Sequence, residues 1–128
     1  MTYKMKHAIS WFQIPVTNFE RAVKFYSSIL SVEFTKTKAM GFEVALFPHH
    51  RETGTVGGAL YCGNGFVPNI NGTTVLLNAG EDLSVALSKI EEAGGKILLP
   101  KTPINNGSGF IAQFQDTEGN RVGLHSKN

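Results

Sequence analysis

The sequence is short of cysteine, of charge and of long apolar runs. Its one cysteine, Cys62, excludes an internal disulfide framework and fits a reducing compartment, so a cytoplasmic protein is expected. No apolar run approaches the roughly 20 residues that span a bilayer, so no membrane partner is expected. Met1–His7 holds Lys4 and Lys6 but no apolar stretch, so no signal peptide is expected. Twelve Lys and Arg against ten Asp and Glu leave a net charge of +2. The densest basic spots, Lys4/Lys6 and Lys36/Lys38, are too thin to track a phosphate backbone, so nucleic acid is not an expected partner. Charged residues make up 17% of the chain, where typical domains have about 25%. Part of the surface is therefore expected to be covered, most simply by a second copy in a homodimer.

What is present points to one folded domain. Hydrophobic residues are 41% of 128, which excludes a disordered chain. The length suits a single domain that buries its own core. Fourteen glycines imply many tight turns and hence many strands. Ala8–Val16 reads as a strand ending at Pro15. Thr17-Asn18-Phe19-Glu20 is a capping-box pattern, with Thr17 or Asn18 as the cap. Phe19, Ala22, Val23, Tyr26, Ile29 and Leu30 then recur at helical spacing. Three strands follow, over Val32–Lys38, Phe42–Pro48 and Thr55–Cys62.

Gly63–Gly72, rich in Gly and Asn, reads as a linker, and after it the order repeats. Thr73–Ala79 is a strand. Asp82 caps a helix with Leu83, Ala86, Leu87 and Ile90 on its apolar face, ended by Gly94-Gly95. Strands over Lys96–Pro100, Gly109–Asp116 and Asn120–His125 complete the chain. The two helix caps lie roughly 65 residues apart, an internal repeat of pattern. The expected fold is α+β: two tandem βαβββ modules, about 7–62 and about 73–126, with the linker at 63–72. Together they form one domain over 1–128, a curled, cup-shaped mixed sheet with the helices outside. A ligand would sit in the cup.

This ordered set resembles the vicinal oxygen chelate superfamily, which includes glyoxalase I, bleomycin-resistance proteins and extradiol dioxygenases. The resemblance spans about residues 7–126. In the first half it rests on Trp11-Phe12-Gln13-Ile14-Pro15-Val16, Glu20-Arg21-Ala22-Val23-Lys24-Phe25-Tyr26 and Gly57-Gly58-Ala59-Leu60. In the second half it rests on Asp82-Leu83, Gly94-Gly95-Lys96, Leu99-Pro100-Lys101 and Asp116-Thr117-Glu118-Gly119-Asn120, continuing through Arg121-Val122-Gly123-Leu124-His125-Ser126. The sequence is most similar to the branch of predicted lactoylglutathione-lyase relatives. The resemblance implies a cup in which His, Glu or Gln on the first and last strands of each module hold a divalent metal. The aligned positions here are Trp11, one of Gly58 to Leu60, Thr74 or Val75, and Gly123. None is a usual ligand, so no metal and no other cofactor is expected. Trp11 brings the largest side chain to a ligand position and Gly123 brings none, so the indole is expected to fill the space of the metal. The family often has Gly after the first helix; this chain has Ser31, without glycine's freedom in the left-handed region.

The expected ligand contacts are Trp11, Gln13, Tyr61, Phe66, Asn78 and His125. Gln13 shares strand parity with Trp11, and Asn78 with Thr74 and Leu76. Tyr61 and Phe66 flank the cup rim. His125 shares parity with Gly123 and is the candidate general acid or base, against the reading of a strand-end histidine satisfied by a carbonyl. His7, His49, His50 and Glu43 are weaker candidates. Cys62 reads as structural, Gly107-Ser108-Gly109 as a hairpin loop, and Asp116 with Glu118 as turn chemistry. The function implied is a glyoxalase/bleomycin-resistance-like protein holding an unknown small molecule, as a binder or as a metal-independent enzyme. The alternatives are a metal-dependent lyase, isomerase or dioxygenase with substituted ligands, and an interaction module without a working site.

Overall fold

The structure, a computed structural model, describes residues 7–49 and 54–128. His50, and the N-terminal segment in which no signal peptide is expected, lie outside the described residues. The first unit runs β1 (Trp11–Pro15), α1 (Phe19–Leu30), β2 (Thr35–Ala39), β3 (Phe42–Leu46) and β4 (Gly57–Cys62). The second runs β5 (Leu76–Asn78), α2 (Ser84–Leu87), β6 (Lys96–Pro103), β7 (Phe110–Gln115) and β8 (Arg121–Ser126). Each makes a four-stranded mixed sheet of the same plan, β1-β4-β3-β2 and β5-β8-β7-β6. The first and last strands of each unit pair in parallel and the others antiparallel. The fold is the expected α+β arrangement of two βαβββ modules. Pro100 lies inside β6 and does not end it, because β6 is an edge strand whose missing N–H costs no ladder bond.

Strand alternation sorts each sheet into a packed face and an open face. Ile14, Ala45 and Leu60 share a face and belong to the core. Leu77, Ala112 and Leu124 do the same in the second sheet. One core joins both modules. Helix α1 buries Phe19, Ala22, Val23, Phe25, Tyr26 and Ile29, an arc wide enough to meet both sheets. The Tyr26 ring lies 6.0 Å from Phe47 of the first module and 6.3 Å from Phe114 of the second.

The helix ends agree with the sequence reading only in part. Asn18 is the cap of α1, its side chain accepting from Arg21 N at 3.1 Å. Glu20 does not close the box; it pairs with Lys36 at 2.8 Å. Its place is taken by Glu118, whose Oε1 accepts from Thr17 N and Asn18 N at 3.0 and 2.7 Å. At the other end Ser31 does adopt the left-handed region, at φ 55° and ψ 48°. The second helix is shorter than expected, because Ser88 Oγ donates to Val85 O at 2.8 Å. An α-helical bond from Lys89 N would need that carbonyl, and Lys89 N turns to Ala86 O instead. The chain then continues as turns to Gly94, still burying Leu83, Ala86 and Ile90.

Candidate functional site

By register, Trp11 and Gln13 of β1 share the open face of the first sheet with Gly57, Ala59 and Tyr61 of β4. The Trp11 indole N–H donates to Tyr61 Oη at 3.1 Å. Tyr61 stacks on Phe66, with centroids 5.1 Å apart, and Phe66 meets Phe42 edge-on at 4.9 Å. His49 stands edge-on to Trp11 at 5.6 Å. The result is a half-buried aromatic layer over Ala59, which is fully buried. Two glycines make room for it. A side chain at Gly57 would strike the His49 ring, and one at Gly63 would strike Phe42. Phe42 is not among the ligand contacts expected from the sequence; its contact with Phe66 depends on how the 63–72 segment folds back, which no local signal carries.

In the second module Asn78 and His125 are direct register partners on the open face of β5 and β8. His125 Nε2 donates to Ser108 O at 2.9 Å, which leaves Nδ1 as the acceptor of the ring. Asn78 Oδ1 accepts from Gly80 N at 3.0 Å, leaving its amide hydrogens. Gln13 is exposed and borders a hollow of about 190 Å³ together with Asn69 and Arg121. Among the described residues, no hydrogen bond, ion pair or ring contact joins Trp11, Tyr61 or Phe66 to Asn78 or His125. The predicted residues therefore form two groups, one on each sheet.

One expectation is corrected. The indole does not fill the space at Gly123. That space belongs to Leu76, the neighbour on β5, whose Cγ would lie 2.9 Å from any added Cβ. Trp11 stays within its own module. The weaker candidates lie off these faces. Glu43 pairs in register with Cys62 and Lys38, on the side away from Trp11, and is exposed. His7 is exposed ahead of β1. Burial first, then the charges of Glu43 and Glu118, raise the Cys62 thiol, so it is a poor nucleophile.

The turn read as ordinary turn chemistry does more than turn. Asp116 Oδ1 accepts from Glu118 N and Asn120 N at 2.8 and 2.9 Å, as an Asx turn does. Asp116 Oδ2 also accepts from Tyr26 Oη at 2.6 Å, which ties the turn to α1. Burial, then the Asp116 charge, pushes the Tyr26 phenol well above its ordinary value, so it remains a neutral donor. Asn120 Nδ2 reaches Pro15 O at 2.7 Å, and Arg21 grips Glu118 at 2.7 Å. Burial alone would raise the Glu118 carboxyl. Arg21, the Asn18 amide, Thr117 and the Thr17 amide outweigh it and hold the group at about 2.

The superfamily's metal does not fit these positions. Trp11 offers a donor already spent on Tyr61, Gly58 and Gly123 offer no side chain, Ala59, Leu60 and Val75 offer no lone pair, and Thr74 offers only a neutral hydroxyl. Among the described residues, no three His, Cys, Asp or Glu side chains converge as a metal site would need. No helix among them is long and apolar enough to cross a membrane.

Residues 8–124 match the family model described as the Glyoxalase/Bleomycin resistance protein/Dioxygenase superfamily. Among solved structures, a glyoxalase/bleomycin resistance protein from Albidiferax ferrireducens T118 is similar at a TM-score of 0.72 and 14% identity, over 95% of this chain and 100% of that one. The trypanothione-dependent glyoxalase I of Leishmania major is similar at a TM-score of 0.68 and 16% identity, over 95% and 88%. Glyoxalase I from Zea mays is similar at a TM-score of 0.64 and 22% identity. That likeness covers 92% of this chain but 45% of the maize chain, so this chain spans under half its length. At such identities these likenesses speak to the fold alone. No match was found among curated proteins.

Proposed function

Because the chain belongs to the Glyoxalase/Bleomycin resistance protein/Dioxygenase superfamily, we propose that it binds a small organic molecule against the aromatic layer of its first sheet, without a metal at the superfamily's positions. One observation carries this reading: Trp11, Tyr61 and Phe66 form a bonded and stacked layer on the side of the first sheet opposite the one that packs Ile14 and Leu60 into the core. Such a layer suits a flat, partly apolar ligand, since aromatic faces contribute large contact area at little entropic cost. Gln13, exposed and in register with Ala59, adds a polar side chain on the same face. A metal-independent reaction is the second reading. It is favoured by His125, whose carbonyl partner fixes the tautomer with Nδ1 as acceptor, next to the amide hydrogens of Asn78. In both readings the chain is one domain that works as a homodimer in the cytoplasm, and neither nucleic acid nor membrane is its partner.

The test uses the only Trp in the chain. A metabolite library is titrated while Trp11 fluorescence is followed, with protein freed of divalent ions by chelation. We expect a saturable change for at least one compound, and Trp11→Phe to weaken its binding several-fold. Ligands that bind with Trp11 emission unchanged, or equally well to Trp11→Phe, would place the site elsewhere.

A further inference from the structure

The chain contains three Asn-Gly steps: Asn64-Gly65, Asn71-Gly72 and Asn106-Gly107. Asparagine is least durable at such a step. A glycine sets no side chain in the path of its own nitrogen toward the asparagine side-chain carbonyl. The fold treats the three differently. Gly107 N donates to Ile104 O at 3.1 Å, and Asn106 Oδ1 accepts from Ser108 N at 3.0 Å and from Ser108 Oγ. Gly72 N donates to Asn69 O at 3.5 Å, and Asn71 N to Asn69 Oδ1 at 2.8 Å. At Asn64-Gly65, neither the side-chain amide nor the glycine N–H has a partner among the described residues. The two form the middle of a turn closed by Phe66 N donating to Gly63 O at 3.1 Å. Gly65 has φ 95°, as the third residue of a type II turn requires, and its N–H takes no part in closing such a turn. Both residues are exposed, and nothing stands within 4 Å of a Cβ added at Gly65.

We propose that Asn64 is a site of spontaneous covalent modification, converted through a cyclic imide to aspartate and isoaspartate, and that the isoaspartate form loosens the stack of Phe66 on Tyr61. The Gly65 nitrogen gives its proton to hydroxide from solvent and bonds to Asn64 Cγ. The Cγ–Nδ2 bond breaks, and the nitrogen leaves as ammonia with a proton from water, which returns the hydroxide. A second water opens the ring. Breaking the new Cγ–N bond gives aspartate. Breaking the original bond from Asn64 C to Gly65 N gives isoaspartate, in which the main chain runs through Cβ and Cγ. The sum is one water in and one ammonia out. Either product puts a carboxylate two residues from Phe66. Only isoaspartate also adds a backbone atom inside the turn, so the bond from Phe66 N to Gly63 O loses its fit. Phe66 is held by that bond and by its rings' contacts with Tyr61 at 5.1 Å and Phe42 at 4.9 Å. Tyr61 in turn accepts the Trp11 N–H, so a displaced Phe66 is felt at the indole.

Ageing the folded protein in mildly alkaline buffer tests it, with peptide mapping by mass spectrometry and isoaspartate scored by enzymatic methyl transfer. Asn64 is expected to gain about 1 Da several-fold faster than Asn71 and Asn106. In concentrated urea the three should convert at similar rates. Trp11 emission should drift in step with isoaspartate at Asn64. Asn64→Gln, which has to close a less favourable six-membered ring, should abolish both changes. Fresh Asn64→Asp carries the charge without the extra backbone atom and should keep the original emission. Circular dichroism identifies a variant that does not fold, and the map and emission of the unaltered chain then give the reading. Neither readout needs a ligand, so the outcome is separate from that of the ligand titration. An intact Asn64, Asn71 or Asn106 converting as fast in the folded protein, or Asn64 leading by the same factor in urea would overturn the site. Emission that stays constant as isoaspartate accumulates, drifts equally in Asn64→Gln, or is already shifted in fresh Asn64→Asp would overturn its link to the aromatic layer.

Discussion

Trp11 occupies a position where the superfamily resemblance implies a metal ligand, and it spends its one polar group on Tyr61. Removing that acceptor leaves a half-buried N–H without its partner. Tyr61→Phe is therefore expected to cost about 0.5–1.5 kcal/mol of stability in urea melts. The Trp11 emission should also shift, since the ring loses a polar neighbour; an unchanged midpoint would mean that water replaces the hydroxyl. Glu118 carries a prediction in pH. Its carboxyl sits at about 2 in the folded chain against an ordinary value of 4.5. Its contribution is then complete above 4.5 and fades as pH falls toward 2. Glu118→Gln should lower stability at pH 7 and flatten the loss between pH 4.5 and 2. Asp82, also held at about 2, chiefly by Ser84 N and then Lys101, keeps part of that slope. Asp116 was legible as a turn residue because its bonds from Glu118 N and Asn120 N are local; its bond from Tyr26, 90 residues away, was not. The role of Glu118 was not, since it caps a helix about 100 residues away in the chain.

At the level of elements, the alternation of Phe42 to Leu46 and the 3.6-residue period of α1 were enough to place strands and helix, because both patterns are local. The ends were harder. Ser88 shortens α2 through one side-chain bond, and Phe66 joins the aromatic layer through a loop with no period. The β2–β3 hairpin turns on Met40 and Gly41, both with positive φ, at 52° and 85°. This is the geometry that favours Asn-Gly. Met40 is 90% exposed, so its side chain has little packing to lose. Met40→Asn is expected to raise stability by about 0.5–1 kcal/mol, with an unchanged denaturant slope. A lower midpoint would mean that the Met40 side chain is covered in solution.

In the whole molecule, the parity that put Trp11 with Gln13, and Gly123 with His125, was readable from the strands alone. The partner of Gly123 was not, because Leu76 reaches it only through the pairing of β5 with β8. The two groups of site residues lie on open sheet faces, and charged residues are scarce at 17%. Both fit a chain whose open faces meet a second copy. Sedimentation at micromolar concentration should give a dimer, and a monomer there would leave those faces to solvent. The central claim is narrower: the aromatic layer binds its ligand without a metal. The chain has a single indole N–H, so its nitrogen–proton NMR resonance reports on Trp11 alone. For a compound found in the fluorescence titration, the account predicts a saturable shift of that resonance, of the same size with chelator present as with zinc or nickel added. A shift that appears only with a stoichiometric divalent ion would contradict it.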